Sequence, residues 1–307
     1  MHRPSNSKNS RHFYSRAALN PSRPPPPTVP EPPNVTKDQI GCPKITRGDL
    51  STDKDPYAFL RPYYTTFIID DSVSMSKHWL QLGALFEKLS PFFSNAYPRG
   101  ISLDFLNHGR YTLSNNDNGG NNAIDIFRRV KPNSQCRLGY KLKHVLKGYI
   151  REYVLCLRRK NPKGIIYPLN VIVITAGDID DDIVQPLMWS AIGLDVLRTP
   201  LYQVSVQFFH VEDRDVWELT RLYEMVEKYN LRAMVNTALC GPLGGWSAEL
   251  ILKTTRNFID ASVKAEEDRT DESENDTDYD VDEGCFPSPF LEPRPFDELI
   301  RTGAVEF

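Results

Sequence analysis

Apolar residues recur along the middle of the chain with two spacings that predict different elements. Two runs of β-branched, aromatic and aliphatic residues are typical of buried strands: one begins at residue 64 and ends at the acid Asp70, and the other covers 169–175. The second run is apolar on both faces, as a central parallel strand requires. Residues 100–107 and 203–209 predict two further strands, and 233–236 predicts a short last one.

Segments whose apolar residues recur at helical spacing lie between these strands. Between residues 138 and 160 the apolar positions recur every three or four residues, and the opposite face is basic. Further helices are predicted after residue 74, with Ser74 or Ser76 as the N-cap, and over 183–197, 213–228 and 247–264. Strands that alternate with helices predict an α/β fold, with a doubly wound, mostly parallel central sheet and helices on both faces.

Composition divides the chain into three parts. Residues 1–56 are rich in Pro, Ser, Asn and Arg, so we expect a disordered, Pro-rich basic N-terminal arm. Residues 266–307 should form an acidic disordered tail, because 266–283 hold eleven acids and one base. The intervening residues 57–265 suffice for one packed domain. The Pro-rich run 24–33 is a candidate ligand of SH3 or WW domains, with a plain linker as the favoured alternative.

The cysteines indicate a reducing compartment. The chain has five of them, odd in number and without zinc spacing: Cys42, Cys136, Cys156, Cys240 and Cys285. We therefore expect an intracellular, cytoplasmic protein, with the nucleus as the alternative. No apolar run reaches the length of a bilayer-spanning helix, so no membrane partner is expected.

Oxygen-bearing side chains follow two of the predicted central strands. The first strand ends at Asp70 and is followed by Ser72 and Ser74, and the second strand ends at Thr175. Ligands of open α/β sheets bind beyond the carboxyl ends of the strands, so these side chains should share one edge. A carboxylate with two hydroxyls is a reasonable partial ligand set for Mg²⁺, which prefers oxygen.

The run 70–74, Asp-Asp-Ser-Val-Ser, resembles the Asp-x-Ser-x-Ser signature of the von Willebrand factor type A (vWA) domain. The likeness continues through the predicted strands and covers about residues 60–265, and it is close to uncharacterised fungal vWA proteins. The resemblance implies a non-enzymatic, protein-binding module with a metal-ion-dependent adhesion site for Mg²⁺ or Mn²⁺. It also implies that an acidic residue of a protein partner completes the coordination of the metal.

The chain departs from that family at two supporting positions. Cys136 stands where the family has a threonine, and Ala176 stands where it has the acid of Thr-Asp-Gly. A neutral thiol is a poor ligand for Mg²⁺. Asp178, two residues beyond Ala176, could replace the missing acid. The expected metal ligands are therefore Asp70, Ser72, Ser74 and Asp178, in a site that is degenerate at Cys136 and Ala176. In the metal-free alternative, Ser74 caps a helix, Asp70 binds loop amides, and the same edge binds protein.

An enzymatic alternative rests on the acidic run after the second strand. Residues 177–182 resemble the Gly-Asp-x-x-x-Asp element of haloacid-dehalogenase-type phosphatases, which would make Asp70 the nucleophile and Asp178 and Asp182 metal ligands. The second catalytic acid of those enzymes falls on Ser72, so the proton donor is missing and we expect no enzyme activity. Acids at a helix N-terminus also account for the run.

The basic face of the 138–160 helix leaves three interpretations open. It could contact nucleic acid, bind the acidic block of the same chain, or simply face solvent. A solvated face is favoured, and we expect no nucleic-acid partner.

Overall fold

The computed structural model describes residues 43–50, 55–96, 101–113, 122–159, 166–176, 179–211, 232–239 and 246–275, and three isolated helical positions, 221, 224 and 228. Several predictions fall outside the described residues. They are the arm up to residue 42, most of the helix at 213–228, Asp178, and the tail from residue 276.

Six strands form one sheet in the order β3-β2-β1-β4-β5-β6. All neighbouring strands are parallel except β2 and β3, so the predicted mostly parallel sheet is confirmed. The strands are β1 Tyr64–Ile69, β2 Ile101–Phe105, β3 Arg110–Leu113, β4 Leu169–Thr175, β5 Val204–His210 and β6 Val235–Leu239. The chain runs outward from β1 to β3 and then crosses back to β4, which places the switch point of the topology between β1 and β4.

Helices cover both faces of this sheet. They are α1 Arg47–Leu50, α2 Trp79–Ala96, α3 Ala123–Arg129, α4 Leu138–Arg159, α5 Val184–Val196 and α6 Ala248–Asn275. Successive side chains of a strand point to opposite faces of the sheet, so β1 contributes to two separate hydrophobic clusters. Phe67 and Ile69 pack in one cluster with α2 and α6. Ile68 points to the opposite cluster, which is built on α4 and α5. Helices on both faces confirm the predicted fold class.

The packed domain extends beyond the predicted boundaries at both ends. Ile45 and Leu50 are buried in the core although they precede residue 57, and the Ile45 amide donates a hydrogen bond to the Tyr202 hydroxyl at 3.1 Å. At the other end α6 runs to Asn275, through part of the segment predicted to be disordered. Glu266 contributes to this by accepting a hydrogen bond from the Leu201 amide at 2.9 Å. Acidic composition alone therefore does not end the helix.

No helix in the described ranges combines the length and the apolarity needed to cross a bilayer.

Candidate functional site

The ends of β1 and β4 form one continuous rim. Both strands are central and parallel, and Ile69 is the register partner of Ile174. The Asp70 amide donates to the Ile174 carbonyl at 2.9 Å, so the pairing continues one residue beyond β1. The loops that open at residues 70 and 176 therefore lie side by side at the switch point, where ligands of open α/β sheets bind.

Asp70 ties these two loops together. Its side chain is fully buried, and one carboxylate oxygen accepts a hydrogen bond from the Ser72 amide at 2.9 Å. The other oxygen accepts from the Thr175 hydroxyl at 2.7 Å and from the Ala176 amide at 3.4 Å. These bonds hold the carboxylate in one orientation.

The hydroxyls of Ser72 and Ser74 lie together, with their oxygens 2.8 Å apart. Ser72 is buried and Ser74 is partly exposed. Neither hydroxyl caps a helix through a side-chain bond, because a 3-10 helix, Val73–His78, begins directly after Ser72 and contains Ser74 and Ser76. The predicted N-cap at Ser74 or Ser76 is therefore wrong. Two adjacent ligands of an octahedral Mg²⁺ at about 2.1 Å would be about 3.0 Å apart, so this spacing suits a metal.

The two supporting positions do not add hard ligands to this set. Cys136 is buried with its sulfur 3.9 Å from the Thr175 hydroxyl oxygen. Burial and then the Asp70 carboxylate raise the pKa of the Cys136 thiol well above its ordinary value, so it stays protonated. Ala176 is buried and has no side-chain oxygen. Asp178 lies outside the described residues, so its predicted role stays a prediction.

The acids at positions 180–182 accept hydrogen bonds from backbone amides. Asp180 accepts a hydrogen bond from the Cys136 amide at 2.6 Å, and Asp181 accepts from the Gly139 and Tyr140 amides, each at 2.7 Å. Asp182 accepts from the Val184 amide at 2.9 Å, at the start of α5. Carboxylates suit such helix N-termini because of the helix dipole.

The approach of this acidic loop to α4 requires a glycine. A Cβ atom on Gly139 would lie 2.1 Å from the backbone carbonyl oxygen of Asp182. Real Cβ contacts are not that short, so only glycine fits where this loop crosses the first turn of α4. Residues 136–140 and 180–182 therefore form one packed unit beside Asp70.

Asp71 is the main site residue that sequence reasoning missed. It is fully buried, and its carboxylate accepts hydrogen bonds from the Asn107 amide at 2.8 Å, the Asn107 side chain at 3.2 Å and His108 Nδ1. Its carbonyl accepts from the Asn133 amide at 2.7 Å, and the Asn107 side chain donates to the Gln135 carbonyl at 3.0 Å. Asp71 and Asn107 thus join the loops after β1 and β2 to the loop before α4.

Trp79 fixes the helix that leads away from the motif. Its indole N–H donates to the carbonyls of Phe127 at 2.8 Å and Val130 at 3.0 Å, at the end of α3. The start of α2 is therefore anchored to the segment that leads into the loop at 133–136. Hydrogen bonds and packing thus converge on one rim, whose described segments are 70–78, 106–108, 133–137, 176 and 179–182.

Across the residues that the structure describes, no group of three or more His, Cys, Asp or Glu side chains has the geometry to hold a metal ion. Any metal at this rim would thus depend on hydroxyl ligands.

Comparisons with known proteins leave the family open. No family model matches the chain, and no curated protein matches it. Among solved structures, it is similar to proximal thread matrix protein 1 from the mussel byssus, at 14% sequence identity and a TM-score of 0.37. That similarity covers 63% of this chain and 47% of the mussel protein, so the chain spans about half the length of that relative.

Proposed function

We propose that this chain is a non-enzymatic protein-binding module of vWA type. It recognises an intracellular protein partner at the C-terminal edge of the sheet, through a degenerate metal-ion-dependent adhesion site. The observation that carries the proposal is the arrangement of Asp70, Ser72 and Ser74 at the switch point, with the two hydroxyl oxygens 2.8 Å apart and the carboxylate held by the neighbouring loop. The sequence resemblance at residues 70–74 supports the same function.

The donor set fits a hard divalent cation, but only in part. Ser72 and Ser74 would hold Mg²⁺ or Mn²⁺ with Asp70 as the acidic group, since all three supply oxygen. The bound metal would offer an open coordination position to an acidic side chain of the partner. The protonated thiol of Cys136 contributes nothing comparable, so we expect a weaker site than a full ligand set would make.

The loops around the site suit recognition rather than turnover. Asp70 accepts three hydrogen bonds from its surroundings, which hold the carboxylate in place. Val73, which follows Ser72, is 63% exposed and gives this surface an apolar contact beside the metal ligands. A preorganised rim that combines polar ligands with an exposed apolar side chain favours binding of a protein surface.

Calorimetric titration of the full chain with Mg²⁺ and with Mn²⁺ tests this proposal. We expect saturable binding that Ser72→Ala weakens at least about tenfold, because one of two paired hydroxyl ligands is lost. Ser262→Ala is the matched control, since it deletes a hydroxyl on α6 that donates to the Phe258 carbonyl at 3.0 Å. Identical titrations for the wild-type chain and Ser72→Ala would contradict the metal site.

A phosphatase assay separates the enzymatic alternative. We expect no hydrolysis of p-nitrophenyl phosphate by the wild-type chain in Mg²⁺. Hydrolysis that disappears in Asp70→Asn would instead make Asp70 a nucleophile and would overturn the assignment as a binding module.

A further inference from the structure

The helix α5 is apolar on its outer side as well as on the side that packs on the sheet. Its inner side contributes four residues to the hydrophobic cluster on that face: Val184, Leu187, Ala191 and Leu194. On the outer side Trp189 is 43% exposed, Val196 is 44% exposed and Ile192 is half-buried. Asp195 is the only charged residue among the 13 residues of the helix. The outer face of a surface helix usually carries polar and charged side chains, so packing on the sheet does not account for this one.

A cleft opens on this outer side, beside the start of α5, and its volume is about 240 Å³. Its described lining includes an apolar wall from α5 and three polar side chains: Met188, Trp189 and Ile192 form the wall, and Asp182, Gln185 and Arg221 are polar. Arg221 belongs to one of the three described helical positions after β5. The cleft thus combines apolar contacts with charged groups from two segments of the chain.

The volume of the cleft limits the size of a ligand. A cavity of about 150 Å³ engineered in another protein holds benzene, and pockets for drug-sized ligands begin at about 300 Å³. A volume of about 240 Å³ therefore suits one ring, or a short branched chain, with a small polar group attached. The apolar wall supplies contacts for such a molecule, and the flat indole of Trp189 suits an aromatic ring.

Two charged side chains of the described lining differ in their surroundings. Asp182 accepts hydrogen bonds from the Val184 amide at 2.9 Å and from the Gln185 amide at 3.3 Å, so the first turn of α5 stabilises its negative charge. Arg221 is exposed and makes no ion pair with any residue that the structure describes. A guanidinium group matches a carboxylate in charge and in the spacing of its donors. Of these two groups, Arg221 is therefore the one that remains available to a charged ligand.

The apolar wall and the guanidinium group line the same small volume. A ligand that contacts both must carry its negative charge within a few bonds of its apolar part. A carboxylate on a short arm from a ring or a branched chain has this form. A compact molecule is thus favoured over a protein surface, which typically buries about 800 Å² of each partner.

We propose that this cleft binds a small amphipathic carboxylate. The apolar part of the ligand, an aromatic ring or a branched aliphatic chain, packs against the wall formed by Met188, Trp189 and Ile192. Its carboxylate pairs with the guanidinium group of Arg221. Asp70, Ser72 and Ser74 are not among the described lining residues, so this site goes beyond the function proposed for the strand ends and does not depend on it.

An NMR titration of the full chain with 3-phenylpropionate tests the proposal. We expect saturable binding with a dissociation constant of about 1 mM or below, as for other ligands of this size. The indole N–H signal of Trp189 should shift as the compound is added, whereas the signals of the buried Trp79 and Trp246 should not. The spectrum of Trp189→Phe lacks the signal of Trp189 and so identifies it.

Arg221→Gln separates the contribution of the charge from that of the apolar wall. It should weaken the binding of 3-phenylpropionate about tenfold. It should change the affinity for 3-phenyl-1-propanol, which lacks the carboxylate, by less than about twofold. Arg151→Gln removes an exposed arginine of α4 and is the matched control, with no expected effect on the binding of either compound.

Three results would overturn the proposal. The first is a Trp189 signal that does not shift at about 10 mM 3-phenylpropionate. The second is an equal affinity of the wild-type chain and Arg221→Gln for this compound. The third is tighter binding of phenethylamine, whose ammonium group would pair with Asp182 instead. A failure of the proposed metal site changes none of these results, because Ser72→Ala should bind 3-phenylpropionate as the wild-type chain does.

Discussion

The ends of β1 and β5 lie on the same rim and bury polar side chains to the same extent, but they treat them differently. At the end of β1, Asp70 and Asp71 are fully buried, and each carboxylate accepts three hydrogen bonds. At the end of β5, His210 is only 1% exposed, and neither of its ring nitrogens has a hydrogen-bond partner among the residues that the structure describes. Its ring stacks on Phe208 instead.

This difference separates a built site from a packed side chain. The bonds of Asp70 and Asp71 connect loops that are far apart in the sequence, so burial there creates a defined surface. Within the described part of the chain, the ring of His210 links no loops, and no hydrogen bond compensates its two nitrogens for the loss of water. Burial lowers the pKa of His210 to about 4, because the protonated ring would be a buried charge. Hydrogen-bond partners, rather than burial, therefore distinguish the candidate site at the end of β1 from the packed side chain at the end of β5.

The largest effect is expected for Asp71→Ala. It leaves the Asn107 amide, the Asn107 side chain and His108 without their acceptor, and we expect the free energy of unfolding to fall by about 3–5 kcal/mol. Urea denaturation followed by circular dichroism measures the loss. Asp125→Ala is the control, since Asp125 is exposed on α3 and should change stability by less than about 0.5 kcal/mol. Equal losses of unfolding free energy in the two variants would contradict the inference that the hydrogen bonds of Asp71 stabilise the end of β1.

The next effect is a pH dependence located at His210. The pKa of this group is about 4 in the folded chain, against an ordinary value of 6.5, so the unfolded chain takes up the proton first as pH falls. Above pH 6.5, titration of His210 should not change the free energy of unfolding. It should then decrease between pH 6.5 and pH 4 by up to about 3 kcal/mol, and level off below that range.

His210→Phe should remove this contribution, because phenylalanine keeps the stack on Phe208 and has no proton to bind. Thermal unfolding of both chains at a series of pH values measures it. Parallel stability curves for the two chains between pH 6.5 and pH 4 would show that His210 is hydrated or paired in solution, and the contrast with the β1 end would fail.

Most of the fold could be predicted from the sequence because its signals are local. The continuous apolar runs predicted β4 with the observed bounds and β1 to within one residue, and helical spacing predicted α4 and α5 to within about a residue. The strand β3 was not predicted, because it has four residues, lies at the sheet edge and has only one buried position. The Ser74 cap was wrong because a 3-10 helix begins directly after Ser72 and therefore already contains Ser74.

Only part of the candidate site could be predicted, from the rule that ligands bind beyond the carboxyl ends of parallel strands. That rule placed Asp70 and Thr175 at one edge, and the structure joins them by a hydrogen bond. The role of Asp71 could not be predicted, because its partners Asn107 and His108 come from another strand connection. The sequence indicated that the acids at 180–182 could lie at a helix N-terminus. The contact of Asp181 with α4 could not be predicted, because it depends on two distant segments meeting in space.

A double-mutant cycle between Asp70→Ala and Thr175→Val tests the central claim most directly, namely that the ends of β1 and β4 form one surface. The two residues are 105 positions apart and share a 2.7 Å hydrogen bond. The free energies of unfolding of the four chains should give a coupling of about 1–3 kcal/mol, as for a buried bond to a carboxylate. Losses that add to within about 0.5 kcal/mol would mean that the two strand ends act independently, which would contradict the account.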